Sequence, residues 1–242
     1  RSKLSSILNC NICHTPTKEV FRAKVLGKYE APYFHCPNCG FLRTPDPFWL
    51  SESYDSAITA LDIGLLKRNL ELREIVSSLV RTYFNPSAKF VDYGGGYGVL
   101  VRLLRDRGLD YYRQDVYAEN LFAKNFDLAD AGCEKFELLT AFEVFEHLEN
   151  PGAELEKMLQ LSDNILFSTE LQPIPHPTPE TWWYILPEIG QHISFFTRKS
   201  LEALAQQKGL HLSTNGKNLH LLSRRKIALP LVFRALSYHQ EQ

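Results

Sequence analysis

Residues 90–104, FVDYGGGYGVLVRLL, constrain this chain more than any other stretch. Phe90 and Val91 open a buried strand that ends at Asp92, the chain turns through glycine, and Val99 to Leu104 carry the apolar stripe of a helix that Gly108 stops. Such a strand, glycine turn and helix lets backbone approach a ligand closely and aims free N–H groups at it. The spacing is Asp92-x-Gly94-x-Gly96-x-Gly98, and Val99 stands where the dinucleotide fingerprint wants a third small residue. An aspartate at the strand end would repel a pyrophosphate and favour a cationic group such as an ammonium or a sulfonium. The charge therefore points away from a nicotinamide dinucleotide.

The second strand, residues 110–114, runs into Asp115, twenty-three residues after Asp92. A carboxylate there can accept both hydroxyls of a ribose, or it can cap the turn that follows. Strands near residues 89, 111, 137 and 164 alternate with helical patterns, and HLSTNGKNLHLLSRRK reads as a closing antiparallel hairpin through Asn215-Gly216. These signals predict an α/β fold: a doubly wound, mainly parallel Rossmann-like sheet over residues 85–242, with its ligand at the carboxyl ends of the strands. Before it, ALDIGLLKRNLELREIVSSLVRTYF places Leu61, Leu65, Leu66, Leu70, Ile75, Leu79 and Val80 at helical spacing, broken near Gly64. Residues 49–84 are thus a linker and helical segment, from which Trp49 or Tyr54 could reach a ligand.

Four of the five cysteines form two matching pairs, Cys10-x-x-Cys13 and Cys36-x-x-Cys39. Two such knuckles supply a closed tetrahedral thiolate site, so residues 1–48 read as a zinc-ribbon module with a structural Zn2+. Two disulfides are the competing reading, which the lack of an apolar signal-peptide core at the N-terminus disfavours. VFRAKVLGKYEAPYFHC between the pairs alternates well enough for two short strands. His14 and His35 flank a shell that four thiolates already complete, and Cys133 is a small apolar residue. So small a module buries too little apolar area to fold alone, and the metal supplies that energy.

A net charge of −1 over 242 residues argues against a phosphate backbone as the main partner. No apolar run is long enough to cross a membrane, and the expected location is cytoplasmic.

Taken together, VDYGGGYG, RQDVYAEN, FELLTAFEVFEHLENPGAELEKM, NILFSTEL and QHISFFTRKSLEALAQQKGL resemble the class I S-adenosylmethionine-dependent methyltransferases over residues 84–225. The resemblance implies S-adenosylmethionine as cofactor. Gly94 and Gly96, in a loop with Gly95 and Gly98, would line its methionine part and ribose; Asp92 would help to hold the ammonium; Asp115 would take the ribose; Phe142 and Glu143 would lie beside it. An acidic residue after the third strand often meets the adenine in this family. Here NFDLADAGCEKFELL shows no clear third strand, which leaves Asp127 and Asp130 as candidates. Glu143, Glu146 and His147 match no standard metal-ligand spacing.

With its ribbon, the chain also resembles the sugar C-methyltransferases of deoxysugar pathways and related natural-product enzymes, which implies methyl transfer to a small-molecule acceptor. An RNA-modifying enzyme that docks through its ribbon, a non-catalytic adaptor and a nicotinamide oxidoreductase are the alternatives. The RNA enzymes carry a histidine in the second zinc half and a more basic surface, unlike Cys36-x-x-Cys39 in a near-neutral chain. In the sugar enzymes a glutamate-histidine pair precedes an aromatic strand as acid and base; here Gln191 and His192 occupy those positions. An imidazole suits proton removal near neutral pH, which marks His192 as the catalytic candidate. LQPIPHPTPETWWYILPEIGQ, with Trp182, Trp183 and Tyr184, is expected to cover the acceptor as an apolar wall.

Overall fold

Alternate residues along each central strand face opposite layers, and the two layers sort cleanly. The structure, a computed structural model, describes residues 8–54 and 63–227. Its elements run β1 (Lys18–Val25), β2 (Tyr29–His35), β3 (Leu42–Arg43), the single turn α1 (Leu50–Ser53), α2 (Leu65–Tyr83), β4 (Lys89–Tyr93), α3 (Val99–Arg105), β5 (Asp110–Gln114), β6 (Leu138–Ala141), α4 (Pro151–Leu161), β7 (Asn164–Ser168), β8 (Ser194–Phe195), α5 (Arg198–Gln207), β9 (His211–Thr214) and β10 (Leu219–Ser223). Phe90, Tyr111, Leu138, Leu166 and Leu221 point to the face covered by α2 and α3. Val91, Tyr112, Leu139, Ile165 and Leu222 point to the face covered by α4 and α5.

The six-stranded sheet has the order β5-β4-β6-β7-β10-β9. β5, β4, β6 and β7 are parallel neighbours, while β10 runs antiparallel to both β7 and β9. This is the doubly wound, Rossmann-like arrangement expected from the sequence. In the closing hairpin Asn215 Oδ1 accepts from the amides of Lys217, Asn218 and Leu219, and Gly216 takes a φ of +83°. Among the described residues no third parallel strand lies outside β5; a single bridge pairs Arg113 with Asp127 there.

Local chemistry sets the helix starts. Asn150 caps α4 by accepting from Ala153 N at 3.2 Å, with Pro151 at the first helical position. Thr197 and Ser200 form a reciprocal capping box on α5. Helix α2 begins after Gly64, as its break predicts, yet its buried stripe is Leu72, Ile75, Val76, Leu79 and Val80. Leu66 and Leu70 are exposed, which corrects the stripe read from spacing; Leu61 lies outside the described residues. The helix packs on the sheet only through its carboxyl-terminal half, so apolar residues near its start meet no layer.

The N-terminal segment forms a second sheet, β1-β2-β3-β8, whose last strand comes from beyond β7. Gln172 Nε2 donates to Gly40 O at 2.7 Å and to Phe195 O at 3.0 Å, and Thr197 Oγ1 donates to Cys39 O at 2.6 Å. A Cβ on Gly40 would sit 2.7 Å from Thr197 Cγ2, so only glycine permits this approach. No described helix is long and apolar enough to cross a membrane.

Candidate functional site

The carboxyl ends of β4, β5 and β6 converge, as they must in a parallel sheet of this order. Asp92 at the end of β4 is buried, and Thr140 Oγ1 on β6 donates to its Oδ1 at 2.6 Å. Burial pushes the Asp92 carboxyl up to about 7; the Thr140 hydrogen bond offsets part of that, nearby Asp115 adds to it and Arg113 opposes it. The turn then bends back under Asp115. Gly96 N donates to Asp115 Oδ2 at 2.8 Å, while Tyr117 N and Ala118 N donate to Oδ1, each at 2.8 Å. Asp115 therefore caps its own turn and joins it to the glycine turn, with one lone-pair site left on Oδ2.

The glycines have distinct reasons. Gly94 has a φ of +70°, and a Cβ there would lie 2.7 Å from Val144 Cγ2. A Cβ on Gly95 would meet Arg113 Cγ at 2.9 Å, and one on Gly98 would meet Ala123 Cβ at 2.9 Å with φ at +85°. Gly96, at φ +52°, faces open space, which leaves room for a ligand over the turn. Beneath the turn lies a residue that periodicity does not single out: Arg113 is buried and donates to Gly96 O at 2.6 Å, Ala118 O at 2.9 Å and Asp127 Oδ1 at 2.8 Å. Asp127 is thereby committed to Arg113 and to Asn120, and Asp130 caps Asp127 N.

After β6 the chain turns at Glu143, a non-glycine residue with a φ of +55°. Ser168 holds it there, accepting from Glu143 N at 2.9 Å and donating to Glu143 Oε1 at 2.7 Å. A left-handed conformation fixed by a side chain from the next strand marks a constrained corner. Phe142 beside it is half-buried against the α2–α3 layer.

The same corner leads into a cluster that sequence spacing does not reveal. Ile193 N donates to Glu146 O at 2.8 Å and Ser194 Oγ to Leu148 O at 2.6 Å, which brings His192 to Glu146 and His147. One ligand atom from each of the three lies within 4.8 Å of the others. His192 is buried, and its Nδ1 donates to Tyr184 O at 2.6 Å, the only arrangement a carbonyl allows, so Nε2 keeps the lone pair. Burial lowers its pKa to about 4, partly countered by that hydrogen bond, and the ring is neutral near pH 7. Burial, then His192, lowers His147 to about 3. His147 Nδ1 lies 3.0 Å from Tyr54 Oη, and the Tyr54 ring stacks on exposed Tyr117 at 5.3 Å, so a chain of contacts runs from Asp115's turn to His192.

The Tyr184 and His192 ring centroids lie 4.6 Å apart. Trp182 packs on Phe195 and the N-terminal hairpin, and Trp183 is about one-third exposed. Trp49 is buried with its Nε1 donating to Gly190 O, and Gln191 Nε2 donates to Ser53 O; both hold loops in place.

In the N-terminal segment the four cysteine sulfurs come together, with Cys13–Cys36 at 3.4 Å and Cys10–Cys39 at 3.7 Å. A tetrahedral Zn2+ with bonds of about 2.3 Å holds its sulfurs about 3.8 Å apart, so the donor set fits that ion. The contact with Cys39 lowers Cys10 to about 5, and the same contact, with burial, pushes Cys39 up. Four thiolates this close would need a cation among them. All five cysteines are free of disulfides, and His35 pairs its ring with His176 away from the sulfurs.

The sequence profile of a methyltransferase domain family matches residues 66–214, more than half of the chain. The chain belongs to this methyltransferase family. No curated protein matches it. Among solved structures it is similar to CalO1, a methyltransferase in calicheamicin biosynthesis with S-adenosylhomocysteine bound, at 14% identity and a TM-score of 0.45 over 64% of this chain and 54% of that one. It is likewise similar to the magnesium protoporphyrin IX methyltransferase ChlM from Synechocystis PCC 6803 (15% identity, TM-score 0.47, 72% of this chain and 92% of that one). The plantazolicin methyltransferase BpumL gives 15% identity and a TM-score of 0.48 over 75% and 91%. The chain spans about half the length of CalO1 and of the mitomycin 7-O-methyltransferase MmcR.

Proposed function

We propose that this methyltransferase-family chain transfers a methyl group from S-adenosylmethionine to a small-molecule acceptor of the sugar or natural-product type. The observation that carries the reading is the buried Asp92 beside a glycine turn that Asp115 closes, at the carboxyl ends of adjacent parallel strands. A carboxyl poised near neutrality favours a cationic ligand group, and the ammonium of the cofactor is one. Gly94, Gly95, Gly96 and Gly98 give the cofactor its backbone cradle, Asp115 takes the ribose, and Phe142 and Glu143 border it. Bound there, S-adenosylmethionine would supply a sulfonium methyl, the S–CH3 bond breaking to a neutral thioether as the acceptor atom takes the methyl.

His192 carries the acceptor's deprotonation: it is the buried neutral imidazole with a free lone pair next to that corner. The cysteine set holds a structural Zn2+, and the ribbon buttresses His192 through Thr44 N, which donates to Ile193 O at 3.1 Å. Titration calorimetry with S-adenosylhomocysteine and with NAD is the first test. Micromolar binding of the former supports the reading, and binding of NAD alone ends it. Once an acceptor is found, His192→Ala should lower turnover by roughly 10² to 10⁴ with S-adenosylhomocysteine affinity unchanged.

A further inference from the structure

Glu146 is fully buried, and neither of its carboxylate oxygens has a hydrogen-bond partner among the described residues. An isolated carboxylate in such a place is costly unless it is neutralised or paired. Burial, then nearby Glu143, pushes its pKa well up, while the Tyr184 hydroxyl and Arg68 offset a part. Two neutral imidazoles lie against it, and Arg68 acts on it through its charge without a hydrogen bond to either oxygen. His192 has its Nδ1 tied to a backbone carbonyl, which fixes the tautomer with the lone pair on Nε2, the usual outer contact of a metal-bound histidine. His147 has its Nδ1 against Tyr54 Oη, and donation in that direction leaves its Nε2 free in the same way.

We infer that Glu146, His147 and His192 form a second metal site, separate from the four cysteines, that takes a divalent first-row transition-metal ion and leaves coordination positions open to an oxygen of the acceptor. Two imidazoles and one carboxylate on one side of an ion are a donor set suited to such cations, with the remaining positions free. The three ligand atoms lie within 4.8 Å of one another, and bonds of about 2.0–2.2 Å would draw them in to roughly 3.0–3.5 Å. The cation satisfies both lone oxygens of Glu146, which nothing else among the described residues does. The frame is rigid enough to hold it: Ile193 N on Glu146 O fixes two ligands to each other through the backbone. The inference rests on the reading of this pocket as the acceptor side and replaces one part of it, the direct proton transfer to His192. With an ion bound, the His192 lone pair would be a ligand, and a coordinated acceptor hydroxyl would be acidified and would release its proton to water rather than to the ring.

Mn2+ is the probe that separates this site from the cysteines, because oxygen and imidazole donors hold it whereas thiolates select Zn2+. The full chain, loaded with one equivalent of Zn2+, would be titrated with Mn2+ and followed by electron paramagnetic resonance. One equivalent should bind, and Glu146→Gln and His192→Ala should each weaken it at least tenfold. Glu146→Gln keeps the shape of the side chain, and its S-adenosylhomocysteine affinity, measured alongside, should stay that of the wild type. Co2+ serves as a second probe, its spectrum showing nitrogen and oxygen ligation. Absence of either ion from the wild type, or equal affinity in the variants, would overturn the metal site and leave His192 as a free base. Loss of S-adenosylhomocysteine binding by the wild type would instead strike the methyl-transfer reading itself, so the two failures are distinct.

Discussion

Asp92→Asn should make the ligand-free protein more stable, and increasingly so as the pH rises. The folded chain holds the Asp92 proton to about pH 7 because the carboxyl is buried, whereas the unfolded chain releases it near 3.8. Between those values the unfolded state binds fewer protons than the folded one, so this group's contribution falls by about 1.4 kcal/mol per pH unit and levels off above pH 7. The penalty is about 2 kcal/mol at pH 5 and about 4 kcal/mol at pH 8. Asparagine keeps an oxygen to accept from Thr140 and never ionises, so it escapes the penalty. Urea unfolding of both proteins in zinc-containing buffer, at pH 5 and pH 8, measures the difference, in which titrations of groups distant from Asp92 cancel. The variant's advantage should grow by between about 2 and 3 kcal/mol across that range. Growth of less than about 1 kcal/mol would refute the placement of a buried, ionising Asp92. The same substitution should weaken S-adenosylhomocysteine binding at pH 8, since the ammonium loses its counter-charge, and wild-type affinity should decline about tenfold per unit below pH 7 while the variant's stays flat.

Arg113→Met should cost at least tenfold in S-adenosylhomocysteine affinity, because Gly96 O, Ala118 O and Asp127 lose their shared donor; unchanged affinity would show that the glycine turn stands without it. Gly98→Ala should destabilise the chain by at least about 1–2 kcal/mol, since a side chain at φ +85° is strained and its Cβ meets Ala123, which thermal unfolding reads directly. Zinc should copurify at about one equivalent in the cysteine site, and stripping it should unfold residues 8–48 while S-adenosylhomocysteine still binds; proteolysis confined to that segment would report it, and iron or no metal in the cysteine site would contradict the structural role. Replacing Trp182 and Trp183 together by alanine should lower the unfolding temperature through the lost packing of Trp182 on Phe195, and a change in acceptor KM without such a loss would place them in the acceptor wall.

Much of this architecture was legible from residue order because its signals are local. Asp92, the glycines and Val99 to Leu104 spell a strand, a turn that needs positive φ and a helix within fifteen residues, and no distant contact is required to read them. The two Cys-x-x-Cys pairs fix a donor set by type and spacing alone, and Asn215-Gly216 marks the last hairpin through a side chain that binds its own turn. Periodicity failed at Leu66 and Leu70, where an apolar face extends beyond the sheet that would cover it. Arg113 gives no signal along the chain because one arginine in a strand has no pattern, and its three acceptors lie on segments up to 17 residues away. Sequence spacing also set Glu146 and His147 aside as a metal site, for their third partner stands 45 residues later in the chain, at His192. Only the pairing of residues 193–194 with 146–148 brings that imidazole to the carboxylate, and only folding takes water away from the carboxylate and leaves its oxygens without partners. Chain order determined which donors exist; the tertiary structure decided which of them share one dry pocket, because desolvation and three-body geometry are properties of packing and have no period along the chain.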